Sequence, residues 1–366
     1  MLESQPQPKP ETDNSVQKEA NGVILANDIV MLKNSAKTKE DFQVVFQKLD
    51  KLKKSFGVSP PESSPSPETI ELSEAREIMN ANLTEEEKQA GKTNFFGPNE
   101  VKSAFLNQVE ITDVPPIPFS REELERAREL NQMLVLRTDK AKDGSPLTMQ
   151  KINEILGGKV KDGNKLFRDV GWNYKDEKFY TTDTARAGWA LVSKEVIPDS
   201  TSKNYLLQTD EMIKYLTEEV FKDKPLPEIY QQAISEYTAK RPKIEALIVS
   251  GNWQEASNML EAETLLISKL IRHKPVEAIC DFIVRCQQPD NMRLLPNTSS
   301  WTNARASYGI VNVGCFDSNG IRVAWDTPGN SSFYLGASLS CSIWIFEIWS
   351  ASAYWRKADW YFDPKK

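Results

Sequence analysis

The chain carries a single histidine, so any Ser-His-Asp relay or histidine-based metal site would have to be built on His273. That residue stands between Arg272 and Lys274 and just ahead of Pro275, where a helix must end. A cation there complements the negative end of the helix dipole, and no Gly-x-Ser-x-Gly elbow accompanies it. Capping explains it better than catalysis. Cys280 and Cys286 are six apart on one expected helix, which puts them on different faces, whereas a zinc pair needs a spacing of two to four. They read as buried small hydrophobes. Cys315 and Cys341 lie in a stretch of short strands and could approach each other, but free thiols are the expectation without a secretory start. The GGKVKDGNK loop from Gly157 lacks the spacing of a phosphate-binding loop and reads as a solvated turn. Glu122, Glu123, Glu125, Glu218 and Glu219 read as first-turn or solvent-face charges rather than an acid–base pair. No catalytic residue, metal or cofactor is expected.

Composition narrows the classes further. The 366 residues include 46 Lys+Arg and 52 Asp+Glu, a formal charge of −6. General nucleic-acid binding is excluded, because such affinity comes mainly from neutralising phosphates. No stretch has 18 or more apolar residues, so no transmembrane segment is expected. The N-terminus lacks a basic start and an apolar run, which points to a cytoplasmic protein.

Charge and periodicity then divide the chain. Residues 1–21 are rich in Pro, Gln, Glu and Lys and have almost nothing to bury, so they read as disordered. Apolar residues at three- and four-residue spacing make 22–57 a helical hairpin, and 58–70 a Pro/Ser linker. Residues 71–200 read as a mixed α+β unit. Ser120 with Glu123 writes a capping box there, 133–137 a strand and 147–156 a helix. Trp172, Tyr174, Phe179 and Tyr180, with the run from Gly188, point to further β structure. Residues 201–290 read as a helical bundle, with helices at 205–221, 226–240, 253–273 and 275–288 broken by Pro225, Pro227, Pro242 and Pro275.

Between 294 and 353 only Arg305, Asp317, Arg322, Asp326 and Glu347 are charged, and six of the nine tryptophans lie at or after Trp301. Alternation around Ile310–Val313 and Ile321–Val323, with turns at Asn319-Gly320 and near Pro328, makes 298–366 a β-rich module. Uncharged, aromatic, Ser- and Asn-rich loops make adhesive yet soluble surfaces. The stretch 343–366 is strongly aromatic and reads as domain packing before partner or membrane contact.

Arg322-Val323-Ala324, then Pro328, then Leu335-Gly336 after six residues resemble the close of the C-type-lectin-like fold. That fold occurs in formylglycine-generating-enzyme relatives and in the variable proteins of diversity-generating retroelements. The departures are Ser331 where the family has Arg, and Ala337-Ser338 where it has Phe-Arg. Segments 130–139 and 188–198 also resemble a group of uncharacterised bacterial proteins, a likeness that implies no activity. The lectin-like resemblance implies ligand contacts from exposed loop residues: Asn312, Phe316, Asp317, Ser318, Asn319, Trp325, Asn330, Ser331, Phe333 and Tyr334.

The expectation is therefore a multi-domain α+β chain that is not an enzyme and offers a C-terminal module to a protein or glycan ligand. The alternatives are an enzyme with its site between the α+β unit and the bundle, or an assembly protein associating through 23–56.

Overall fold

Local signals start the helices of the first half. Leu72–Asn80 (α1) leads to Glu85–Gln89 (α2), where the Thr84 hydroxyl caps the Glu87 amide and the Glu87 carboxylate returns the bond. Phe95–Phe96 (β1) precedes Pro98–Ala104 (α3), with Pro at the first helical position. Arg121–Glu129 (α4) starts at the expected Ser120/Glu123 capping box. Gln132–Arg137 (β2) is buried along its whole length, as an apolar central strand must be. Met149–Ile155 (α5) and Lys178–Thr181 (α6) lead to Gly188–Ser193 (β3). The computed structural model describes residues 70–169 and 174–342. The expectations at 1–57, at Trp172 and at 343–366, and the linker up to residue 69, lie outside these.

The second half supplies Tyr205–Tyr215 (α7), which widens into a π-helical turn at Leu216–Val220. Glu228–Val249 (α8), Trp253–Leu260 (α9), Leu266–Ile271 (α10) and Pro275–Cys286 (α11) follow. Two boundaries differ from expectation. Pro242 does not break α8: it is exposed, so the carbonyl its ring leaves unpaired is free to meet water. The expected 253–273 helix is two, because the chain turns extended at Glu261 and Ala262 donates its amide to Asn303 O at 2.9 Å. The aromatic stretch around Phe179 and Tyr180 is helical rather than β, its rings packing with Tyr174.

The strands Ser299–Ala306 (β4), Gly309–Asp317 (β5), Gly320–Asp326 (β6), Leu335–Gly336 (β7) and Ser340–Ser342 (β8) complete a mixed α+β fold with two four-stranded sheets. The first has the order β1-β2-β3-β8, with β1 parallel to β2 and the other pairs antiparallel. The second has the order β6-β5-β4-β7, with β7 parallel to β4. A two-residue turn, Ser318-Asn319, joins β5 to β6. Gly320 opens β6 at φ +103°, where a Cβ would fall 2.7 Å from the Phe167 backbone, so only glycine fits there.

The chain divides into two compact units, Met1–Pro67 and Glu68–Lys366, and every described residue belongs to the second. Inside it, elements from 71–200, 201–290 and 298–342 share two cores. The first unites the β1-β2-β3 region with α11 and with Val311, Val313, Phe316, Ile321 and Val323 of the second sheet. The other unites α7, α8, α9 and α10 with Trp301, Ile310, Leu335, Ala337 and Leu339. The second sheet therefore lies between both cores, and β8 continues the chain into the first sheet. Among the described residues no helix is long and apolar enough to cross a membrane.

Candidate functional site

Two places concentrate chemically active side chains. One is the β6 edge of the second sheet. There Arg168 N–H donates to Ile321 O at 2.9 Å and covers the start of the strand. Beyond that bond lies a cleft of about 320 Å³ lined by Arg168, Asp169, Tyr174, Arg322, Val323, Ala324 and Trp325. The Trp325 ring meets Tyr308, from the turn between β4 and β5, at 5.3 Å between centroids, and Tyr308 is 64% exposed. Arg322 puts its guanidinium 5.0 Å from the centre of the Tyr334 ring and donates Nη1 to Asn312 Oδ1 at 2.9 Å.

Behind this edge runs a ladder of neutral and acidic partners. Asn312 Nδ2 donates to Asp326 Oδ2 at 2.9 Å, and Asn330 Nδ2 to Asp326 Oδ1 at 2.8 Å. The Ser332 hydroxyl and amide donate to Asn330 Oδ1 at 2.8 and 3.1 Å. The β5 register explains this ladder: Asn312 sits opposite both Trp301 and Ala324, on the face shared with Arg322 and Asp326. Arg322 makes no ion pair among the described residues, so its charge is held by a ring and an amide rather than neutralised.

The ten sequence-derived residues do not form one surface. Asp317, Ser318 and Asn319 sit at the turn end of the β5–β6 hairpin, about 20 Å along the strand from its open end. There Asp317 Oδ2 accepts from Arg168 Nη2 at 2.9 Å. Partial burial opposes its charge, but the Asn319 amide and Arg168 hold it below the usual carboxylate range. Trp325, Asn330, Ser331, Phe333 and Tyr334 occupy the open end. Phe333 is 79% exposed and meets Tyr334 edge-on at 5.7 Å, while Tyr334 leans on the second core. Two residues are corrected outright. Phe316 is not a loop contact but is fully buried, stacked on Phe282 at 6.1 Å. Asn312 is equally buried and acts through the ladder. Tyr308, Arg168 and Arg322 were not among the site residues expected from the sequence, although Arg322 opens the lectin-like motif. A ring in a hairpin turn and a lone cation on an edge strand were the available signals.

The other place is interior. Arg137, at the end of β2, donates Nε and Nη2 to the two Asp281 carboxylate oxygens at 3.0 and 2.5 Å, and Nη2 also to Ser340 Oγ at 3.0 Å. Arg186 grips Glu277 with Nε and Nη2 at 2.6 and 2.7 Å, and the Lys274 amide adds a bond at 2.8 Å. Arg137 Nη1 lies 3.6 Å from Glu277 Oε2. Every residue of α11 is buried, so Glu277 and Asp281, four apart, form a charged stripe inside the first core. Burial pushes the Asp281 carboxyl up to about 6 against the pull of Arg137. At Glu277 burial acts the same way, but Arg186 and Arg137 outweigh it and hold the group well below the usual range. His273, with Nδ1 3.9 Å from Asp281 Oδ2, is pushed down to about 3 by burial and then by Arg137. It is therefore a neutral buried imidazole, not the charged helix cap expected from its neighbours.

A second cleft of about 390 Å³ opens where β2 ends and β3 begins, between Leu136–Lys140, Ala187-Gly188 and the loop 110–116. Segments 130–139 and 188–198, singled out in the sequence, are thus antiparallel neighbours meeting at one rim. The Arg137 side chain has no exposure and turns to α11 instead. All four cysteines are free thiols, and burial pushes Cys286 up to about 12 and Cys341 to about 11. Among the described residues no group of three or more His, Cys, Asp or Glu could hold a metal ion. No protein-family model, curated protein or solved structure matches this chain.

Proposed function

We propose that this chain is a non-enzymatic recognition protein that takes a protein or glycan ligand at the open end of its second sheet. The observation that carries this reading is the half-open cleft beside the Tyr308–Trp325 ring pair, with Arg322 at its wall and, among the described residues, no carboxylate paired to it. Rings give contact area at low entropy cost, and an unneutralised guanidinium gives directional donors. Phe333 extends the same ring-bearing end outward. The C-type-lectin-like resemblance agrees with loop-borne binding but is not needed for it.

An enzyme site between the α+β elements and the helices would draw on Asp281, a buried carboxyl pushed up to about 6. Its two oxygens are taken by Arg137, and it is sealed from solvent. That arrangement supports a clamp. Association through 23–56 concerns residues outside those described.

The test is a screen of immobilised glycans and peptides with the wild type and with a Tyr308→Ala/Trp325→Ala variant. Capture by the wild type should fall at least tenfold in the variant while the thermal midpoint stays nearly unchanged. Full capture by the variant contradicts the reading.

A further inference from the structure

β3 ends at Ser193, and the next residue, Lys194, is half-buried with an unusual set of neighbours. Its Nζ donates to Asn94 Oδ1 at 2.9 Å. Asn94 is itself fixed: its amide nitrogen Nδ2 donates to Met79 O at 3.2 Å, which leaves its carbonyl oxygen facing the lysine. The Asn94 backbone N–H is held by Asn80 Oδ1 at 2.7 Å. Lys194 forms no ion pair among the described residues. The charges around it are already engaged or lie in solvent. From α11, Arg285 is tied to Asp290 at 2.5 Å. From α2, Glu87 takes Lys92 at 3.0 Å and the Thr84 amide at 2.9 Å. Glu195 is exposed.

A half-buried ammonium with a neutral acceptor and a guanidinium nearby loses solvation without gaining a counter-charge. We propose that Lys194 is an acyl-acceptor site, a lysine modified by small activated acyl donors such as acyl phosphates and acyl thioesters. The unprotonated Nζ attacks the acyl carbonyl carbon and a C–N bond forms. The C–O bond to phosphate, or the C–S bond of a thioester, breaks, the electron pair leaves with the phosphate or the thiolate, and the nitrogen gives its proton to water. The product amide keeps one N–H for Asn94 Oδ1 and removes a positive charge from beside Arg285. Burial, then Arg285, pushes the amine down to about 8, against the pull of Glu195 and Glu87. At pH 7.4 roughly one such lysine in five is unprotonated, against about one in a thousand for an ordinary lysine.

The experiment incubates the full chain with acetyl phosphate and follows each lysine by peptide mass spectrometry. Lys194 should be acetylated about ten times faster than exposed Lys159 or Lys243, after allowance for the weaker nucleophilicity of a less basic amine. Its rate should level off above about pH 8, while theirs keeps rising towards pH 10. Asn94→Asp sets a carboxylate against Nζ and should slow Lys194 about tenfold with the other lysines unchanged. A Lys194 rate no higher than those of Lys159 and Lys243, or a pH profile that climbs with theirs, overturns the proposal even if the variant fails to fold.

Discussion

Arg137 and Arg322 both end their guanidiniums near strands, yet the two regions use them in opposite ways. Arg137 is sealed in the first core, bonded through Nε and Nη2 to Asp281 and Ser340 and ion-paired with Glu277 through Nη1 at 3.6 Å. Arg322 stands at a half-open edge, supported by one amide and one ring. A buried pair is worth little against an apolar substitute, but removing one partner strands the other. A half-buried cation with neutral partners keeps its charge uncompensated and stays available to a ligand. Residue type therefore does not separate clamp from binding site; ion pairing and burial do. Arg272 marks the limit between them: it is fully buried with no carboxylate partner among the described residues, stacked 4.0 Å over Tyr205 and bonded to Thr209.

The comparison breaks most visibly at Glu277. Glu277→Ala leaves Arg186 without its bidentate partner inside the first core and should cost about 3–5 kcal/mol in urea unfolding. A loss below 1 kcal/mol would show that the cluster is not a clamp. A subtler effect separates the two carboxylates of α11. Glu277 titrates below its usual range in the fold, so its contribution is full above about pH 4.5 and is lost as the pH falls below that. Asp281 is raised to about 6, so the fold holds its proton better than the unfolded chain does, and its contribution is lost as the pH rises from about 4 through 6. Asp281→Asn should therefore remove a fall in stability across that window. An unchanged slope between pH 4 and 6 would place the Asp281 titration elsewhere.

Much of the fold is legible where the signal is local. The Ser120 capping box and the apolar strand before Arg137 depend on neighbours within four residues. The split at Glu261 does not, because Asn303, some forty residues on, receives the amide that diverts the chain. The clamp was half-written: Glu277 and Asp281 stand four apart on an apolar helix, a polar stripe that asks for partners. Those partners, Arg137 and Arg186, lie 144 and 91 residues away and leave no trace in spacing. The candidate site blurred for another reason. β5 is covered on both faces, so the alternation read around Ile310–Val313 marks a strand without saying which side chain is exposed. Phe316 and Asn312 were misplaced by that loss of pattern; Trp325 lies on β6 rather than in a loop and is half-buried against the first core, while Phe333 is exposed in the loop that follows.

The most direct measurement sets Arg322→Gln beside Arg137→Gln and reads the urea midpoint and the capture of one ligand from the screen on the same preparations. The contrast predicts that Arg322→Gln keeps its stability within about 0.5 kcal/mol and loses capture, while Arg137→Gln loses about 3 kcal/mol. Capture retained by Arg322→Gln, or equal stability losses in the two variants, would contradict it.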